Sequence, residues 1–246
     1  MTKYLIDADI VAFKAATVTE TPINWGDGFW TMHAYEAEGI EYIHKYLHRI
    51  TTALGDGEFH MFITDPKNWR KDILPSYKSN RKETRKPMTL NALRQYLLNE
   101  MSAVMVEGME ADDLLGITST NEPDCVIVSE DKDLATIPGQ LFNPAKDEEV
   151  RTISEFDADY LHMKQTLTGD PVDGYAGLVG CGDKTAEKIL DGCQTSMEMW
   201  AAVVNAYSKK KLSEEVALTQ ARVARICRAS DFDFSTGKVI LWTPPT

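Results

Sequence analysis

The sequence predicts an α/β fold: a mostly parallel central sheet flanked by helices, followed by a smaller all-helical lobe. Three observations carry that expectation. Over the first 145 residues, short apolar runs alternate with helix-spaced apolar residues, the pattern of strands joined by crossover helices. From about residue 151 the strand signals give way to helical periodicity. Acidic residues follow the apolar runs, at the strand ends where open parallel sheets collect their working groups. The expected division is residues 1–150 for the α/β part and 151–246 for the helical lobe.

The elements follow in order. Strands are expected at 4–6, 59–63, 103–106 and 126–128, each short and rich in Val, Ile or aromatic residues. Ile40, Ile43, Leu47, Ile50 and Leu54 recur at helical spacing between the first two strands. Leu90, Leu93 and Leu97 mark a helix before the third strand, and Leu114, Leu115 and Ile117 mark one after it. In the lobe, Phe156, Tyr160, Met163 and Leu167 are helix-spaced, and further helices are expected at 183–191, 196–207 and 213–228. The run 238–242 reads as a strand returning to the sheet.

A chain of 246 residues removes roughly 70% of its unfolded surface from water and needs no staples. Its four cysteines (Cys125, Cys181, Cys193, Cys227) form no CxxC pair and no zinc spacing, which fits a reducing, cytoplasmic setting. No secretory leader is expected from the first residues, and no apolar run reaches membrane-spanning length. The net charge of −12 argues against a bulk electrostatic nucleic-acid binder, yet the segment 67–94 alone carries +7, leaving −19 on the remainder.

The acids are placed with equal asymmetry. The first strand ends in Asp7-Ala8-Asp9 and the second in Thr64-Asp65; the third is followed by Glu110-Ala111-Asp112-Asp113, and the fourth by Ser129-Glu130-Asp131-Lys132-Asp133. Asp170 and Asp173 close the helix at 155–168. Any one of these acids is adequately explained as a helix cap or turn former. Acids after every strand of one sheet are not, because carboxylates crowded on one edge repel and call for a divalent cation. Oxygen-only ligands fit Mg²⁺ or Mn²⁺ rather than zinc. A competing reading takes Asp7-Ala8-Asp9 as the motif of haloacid-dehalogenase-type phosphatases, with Asp7 as nucleophile and Asp9 as general acid. It leaves Glu110, Asp112, Asp113 and the basic segment unexplained.

The basic segment over 66–94 follows the acid-ending second strand and so projects over the acidic edge. Lys78 and Arg81 are placed to stabilise charge on a phosphoryl group, and Tyr77 to stack on a base. Leu178 to Ala186 has the form of a helix-hairpin-helix within residues 174–192: Gly180 and Gly182 permit a tight turn whose N–H groups bind a phosphate, with Lys184 and Lys188 one turn apart. His44 and His48 lack the glutamate and third ligand of a zinc site and are expected to be structural. Trp25, Trp30 and Trp69 are expected to pack in the core or against the basic segment.

Taken in order, Asp7, Asp65, Tyr77-Lys78-Ser79-Asn80-Arg81, Glu110-Ala111-Asp112-Asp113, Ser129–Asp133, Gly169-Asp170 through Asp173 and the Gly180–Ala186 hairpin resemble the flap endonuclease/5′→3′ exonuclease family, most of all its compact bacterial and bacteriophage members. The resemblance covers residues 3–192. It implies a PIN-like, structure-selective nuclease that hydrolyses DNA at 5′ ends, nicks or 5′ flaps, with RNA–DNA hybrids as an open alternative. It implies two Mg²⁺ or Mn²⁺ ions, one held by Asp7, Asp65, Glu110, Asp112 and Asp131, the other by Asp113, Asp133, Asp170 and Asp173. Lys78 and Arg81 are then the catalytic cations. Arg70, Lys71, Tyr77, Arg85 and Lys86 are expected to touch DNA, as are Gly180, Gly182, Lys184, Thr185 and Lys188, with a monovalent cation at the hairpin. A monomer without a polymerase domain, in the cytoplasm of a cell or viral host, is expected. The chain departs from the family at Gly174 and Ala176, where Asn and Pro are usual, and at Asp9, where a small polar residue is common.

Overall fold

The strand β1 (Thr2–Asp7) is an interior strand of a five-stranded sheet and is buried on both faces. In this computed structural model, which describes residues 1–80, 85–122 and 124–245, β1 pairs in parallel with β4 (Gly57–Phe62) on one side and with β5 (Cys125–Val128) on the other. Beyond β5 come β6 (Gly139–Phe142), parallel, and β7 (Arg151–Ile153), antiparallel. The chain therefore leaves β1 in one direction to make β4 and reaches β5 on the opposite side. Such a reversal of strand order opens a crevice at the carboxyl ends of the strands.

Alternation along β1 sorts the core. Tyr4 and Ile6 face the helices α1 (Ala8–Val18), α2 (Glu36–Leu54) and α4 (Leu90–Glu100), whereas Leu5 faces α5 (Ala111–Asn121). A third apolar cluster joins α6 (Glu155–Thr168), α7 (Asp183–Leu190), α8 (Ser196–Lys209) and α9 (Glu214–Ala224). A short helix, α3 (Arg70–Ile73), lies against α9. No helix among the described residues is long and apolar enough to cross a membrane.

Several expectations are corrected. The run 103–106 contributes only an isolated bridge, Val104 to Phe62, because Val104 and Met105 face solvent. The run 238–242 does not rejoin the sheet: β9 (Lys238–Val239) pairs with β8 (Phe232–Asp233), and Trp242 packs 5.2 Å from the rings of His162 and Trp200 in the lobe. The last helix stops at Ala224, not 228, because Arg225 takes an extended backbone that turns its carbonyl towards Arg70. The sheet takes in residues 151–153, and Ile226 and Cys227 return to the α5 cluster, so a boundary at 150 separates β7 from the sheet it belongs to. Trp25 and Trp30 are 61% and 57% exposed on the antiparallel hairpin of β2 (Thr21–Asn24) and β3 (Trp30–His33), outside any core.

The packing of α5 yields a test. A Cβ on Gly116 would lie 2.3 Å from the Cys227 carbonyl oxygen, a backbone atom. Gly to Ala inside a helix ordinarily gains about 1 kcal/mol. Here the overpacking, typically about 1–3 kcal/mol, should reverse the sign. Urea unfolding of Gly116→Ala should show a lower midpoint than the parent; a raised midpoint contradicts this packing.

Candidate active site

The carboxyl ends of β1, β4 and β5, with the turn preceding α5, bring acids to the crevice. Each acid also does local work. Asp7 caps α1, its Oδ1 accepting the Ile10 N–H at 3.1 Å and its Oδ2 the Ser129 hydroxyl at 3.3 Å. Asp65 Oδ1 accepts from the Gly108 and Lys67 N–H groups at 3.1 and 2.9 Å. Asp131 opens the 3₁₀ turn Lys132–Thr136, accepting the Asp133 N–H at 2.8 Å. Capping and site-building are thus not rival explanations. Asp7, Asp65, Glu110, Asp112, Asp131, Asp133, Asp170 and Asp173 line one pocket of about 820 Å³, together with Lys71, Lys78, Lys86 and Arg94.

Burial and mutual repulsion leave much of this charge uncompensated. Burial, with Asp9 and Asp131 nearby, pushes the Asp7 carboxyl up to about 7. Asp112 is raised by burial and by Asp7, Asp131 and Glu110. Asp133, whose Oδ1 accepts from Gln165 Nε2 at 2.7 Å, is pushed up to about 6 by burial and Asp131. Glu110 behaves oppositely: burial would raise it, but Arg70 and Lys78 outweigh burial and hold it below the usual carboxylate range. Among the described residues no three His, Cys, Asp or Glu side chains stand close enough to hold an ion as they are. The donor set, all oxygen and partly starved of protein cations, fits a hard divalent ion.

Lys78 is the cation fixed deepest in the pocket. Its backbone is left-handed (φ +52), and its N–H donates to the Asp173 carbonyl at 2.8 Å. Nζ stands 2.5 Å from Glu110 Oε1 and 3.5 Å from Asp173 Oδ2. Burial opposes its charge, yet Glu110, Asp173 and Asp112 outweigh burial and raise its pKa. The loop carrying Asp170 and Asp173 packs against this segment: a Cβ on Gly174 (φ +76) would come within 3.0 Å of the Ser76 carbonyl. That close approach accounts for glycine at this departure from the family pattern.

Other expected residues are placed differently. Arg70 is turned inward: it is 2% exposed and ion-paired to Glu110 at 3.0 Å and to Asp113 at 2.7 Å. Asp113 is therefore occupied by Arg70, the Cys227 N–H and Trp69 Nε1, and it lies outside the pocket that the other acids line. Tyr77 is buried, its hydroxyl donating to Glu110 at 2.9 Å, so its ring is not free to stack on a base. Arg85 is held by Glu20 through both Nη atoms. Arg81 lies outside the described residues. In the lobe, Gly180 has a positive φ of +82, but Gly182 (φ −90) has no steric need for glycine, and a Cβ at either would meet open space. Lys184, Thr185 and Lys188 are exposed. Thr185 and Lys188 also line a groove of about 410 Å³ with Lys209 and Lys210 and no carboxylate.

The pocket also holds Asp9 and Arg94, ion-paired across it, which the sequence reading did not connect. One signal was present: Arg94 stands on a helix beside the leucine stripe 90, 93 and 97.

Residues 2–164 match the family described as 5′-3′ exonuclease, N-terminal resolvase-like domain. The exonuclease of Escherichia phage T7 is 28% identical over 281 residues, covering 98% of this chain and 93% of that protein. Flap endonuclease Xni of Shewanella sp. (strain ANA-3) is 27% identical over 174 residues, covering 61% of this chain and 64% of that protein. In fold, the chain is similar to the phage T5 D15 protein co-crystallised with metal ions, with a TM-score of 0.64 at 14% identity, covering 91% of this chain and 89% of that one. The T5 D15 flap endonuclease in complex with DNA and metal ions gives a TM-score of 0.65 at 14% identity, with the same coverage.

Two measurements follow from these charges. Removing one partner of a buried ion pair costs about 3–5 kcal/mol, so Arg70→Met should lower unfolding stability by about that amount, read by urea titration. A loss below about 1 kcal/mol would contradict the buried network. The second concerns Asp7, whose folded value of about 7 lies above the unfolded 3.8. The native state then binds the proton more tightly, so this group's contribution to stability declines as pH rises between the two values. Without metal, Asp7→Asn should melt above the parent at pH 8, and the gap should narrow as pH falls below 7. A gap that is constant or widens on acidification contradicts the raised carboxyl.

Proposed function

Because the chain belongs to the 5′-3′ exonuclease family, we propose that its pocket hydrolyses phosphodiester bonds of DNA at 5′ ends or 5′ flaps with two Mg²⁺ ions. The observation that carries this reading is the gathering of nine carboxylates in one pocket at the carboxyl ends of the strands, with Lys78 fixed among them. Asp7, Asp65, Glu110, Asp112 and Asp131 would hold one ion, and Asp133, Asp170 and Asp173 would support the second. Bound there, divalent ions supply Lewis acidity towards the attacking water and the phosphate. Ser129 orients the Asp7 carboxylate, and Tyr77 with Arg70 orients Glu110. The Lys78 ammonium, already protonated and fixed, stabilises negative charge as it builds on the phosphate oxygens.

The helical lobe supplies grip. The N–H groups of the turn at Gly180–Gly182 have fixed direction and suit a backbone phosphate, read without regard to sequence. The groove between α7 and α8 extends that contact with Lys188, Lys209 and Lys210. The phosphatase reading loses its general acid, since Asp9 is engaged by Arg94 and by the Thr64 N–H.

End-labelled single-stranded, duplex, nicked and 5′-flap DNA, incubated with Mg²⁺ or EDTA, test the proposal directly. Cleavage confined to phosphate monoesters would overturn it. Asp112→Asn and Asp131→Asn should each lose more activity than the roughly 100-fold that outer partners of a metal ligand command, while duplex binding in Ca²⁺ stays within a few-fold. Neutralising Lys209 and Lys210 together should flatten the slope of log affinity against log salt by up to about 1.8, from about 0.9 per phosphate contact. An unchanged slope removes the groove from the duplex interface.

A further inference from the structure

Asp9 and Arg94 form a pair inside the pocket that neither the carboxylate set nor the substrate cations account for. Asp9 lies on the first turn of α1, two residues after Asp7, and Arg94 projects from α4. Asp9 Oδ1 accepts from Arg94 Nη1, and Asp9 Oδ2 accepts the Thr64 N–H at 2.7 Å. Arg94 Nη2 donates to the Thr64 carbonyl at 2.6 Å. One ion pair thus holds both backbone groups of one residue. The Thr64 hydroxyl in turn accepts the Ala111 N–H at 3.0 Å, and the next residue, Asp65, donates its N–H to the Met109 carbonyl at 3.0 Å. The pair therefore anchors the point where the chain leaves β4, and through Thr64 it also anchors the start of α5, which carries Asp112.

We propose that Asp9 and Arg94 are a positioning pair: they fix Thr64, and with it Asp65, and they keep the Asp9 carboxylate from competing for divalent ions bound beside it. This rests on the reading of the pocket as a divalent-metal site. Both Nη atoms of Arg94 are engaged inside the protein, and its charge is matched by Asp9, so the pair presents little net attraction to a phosphate. An arginine serving the substrate would keep part of its guanidinium fork free for a phosphate.

The test uses the full chain with Arg94→Gln, Asp9→Asn and the double variant. Three quantities are read: Mn²⁺ binding by calorimetry without DNA, the Mg²⁺ concentration for half-maximal turnover on 5′-flap DNA, and flap affinity in Ca²⁺. Arg94→Gln should alter Mn²⁺ affinity several-fold, raise the half-maximal Mg²⁺ concentration several-fold and lower kcat, with KM and flap affinity within about twofold of the parent. The double variant, whose Asn–Gln amides can re-form neutral bonds to each other and to Thr64, should return Mn²⁺ affinity and Mg²⁺ requirement towards parental values. Such non-additivity is the signature of the pair. Loss of flap affinity with an unchanged metal requirement would make Arg94 a substrate contact and overturn the proposal. Additive effects in the double variant, or no change in metal binding, would also overturn it. Should Arg94→Gln melt well below the parent, Arg94→Lys gives the same readout: it keeps the charge but lacks the fork that reaches both Asp9 and Thr64, so its metal requirement should still rise. If the parent cuts no DNA, the nuclease reading fails, and Mn²⁺ calorimetry still decides the role of the pair.

Discussion

The buried guanidinium of Arg70 is the contact on which the rest of the site depends. Its Nη atoms hold Asp113 and Glu110 on the α5 side, while Nε and Nη2 reach the Val223 and Arg225 carbonyls at the end of α9. Trp69 covers its face, with the guanidinium carbon 4.4 Å from the ring centroid. An ion taken so far out of water is tolerated only when its donors are matched. Here five hydrogen bonds match them. Matching fixes the start of α5, the end of α9 and the entry to the basic segment relative to one another, and these three elements frame the pocket.

Charge balance in the crevice follows from that arrangement. Three protein cations are fixed beside particular acids: Arg70 with Asp113 and Glu110, Lys78 with Glu110 and Asp173, Arg94 with Asp9. Asp7, Asp112 and Asp133 receive less help, and burial and repulsion push all three up. The unequal distribution separates acids that shape the site from acids that need an added cation, a distinction composition alone obscures in a chain of net charge −12.

Three of the sheet's five strands, β1, β4 and β5, are legible because each is a short apolar run followed by acids, whereas β6 and β7 are missed because each carries too few consecutive apolar residues to stand out; α2 and α4 are legible because their leucine and isoleucine stripes contrast with polar neighbours. The helix α1 is missed although Ala8, Val11, Ala12, Ala15 and Ala16 are helix-spaced and buried: side chains so small give little hydrophobic contrast. The β2–β3 hairpin is missed because its Trp25, Phe29 and Trp30 face water, where apolar residues are not expected. Within the site, periodicity brings acids to one edge but cannot say which carboxylate meets an arginine. Asp112 and Asp113 are adjacent in sequence, yet one lines the pocket and the other is enclosed by Arg70. Tyr77 and Arg70 read as surface contacts because they sit in a basic run, and only tertiary burial turns them inward.

The Arg70 contacts also set an order of assembly. Its carbonyl partners lie 153 and 155 residues further along the chain. Closing so long a span is slow compared with forming local helices and turns. During synthesis, the strands carrying Asp7, Asp65 and Asp131 can pair well before residue 225 emerges, but until then the guanidinium lacks two acceptors and the start of α5 lacks its brace. The brace on the start of α5 is thereby deferred until the end of α9 has itself been made, so the sheet edge and the helical lobe are completed together.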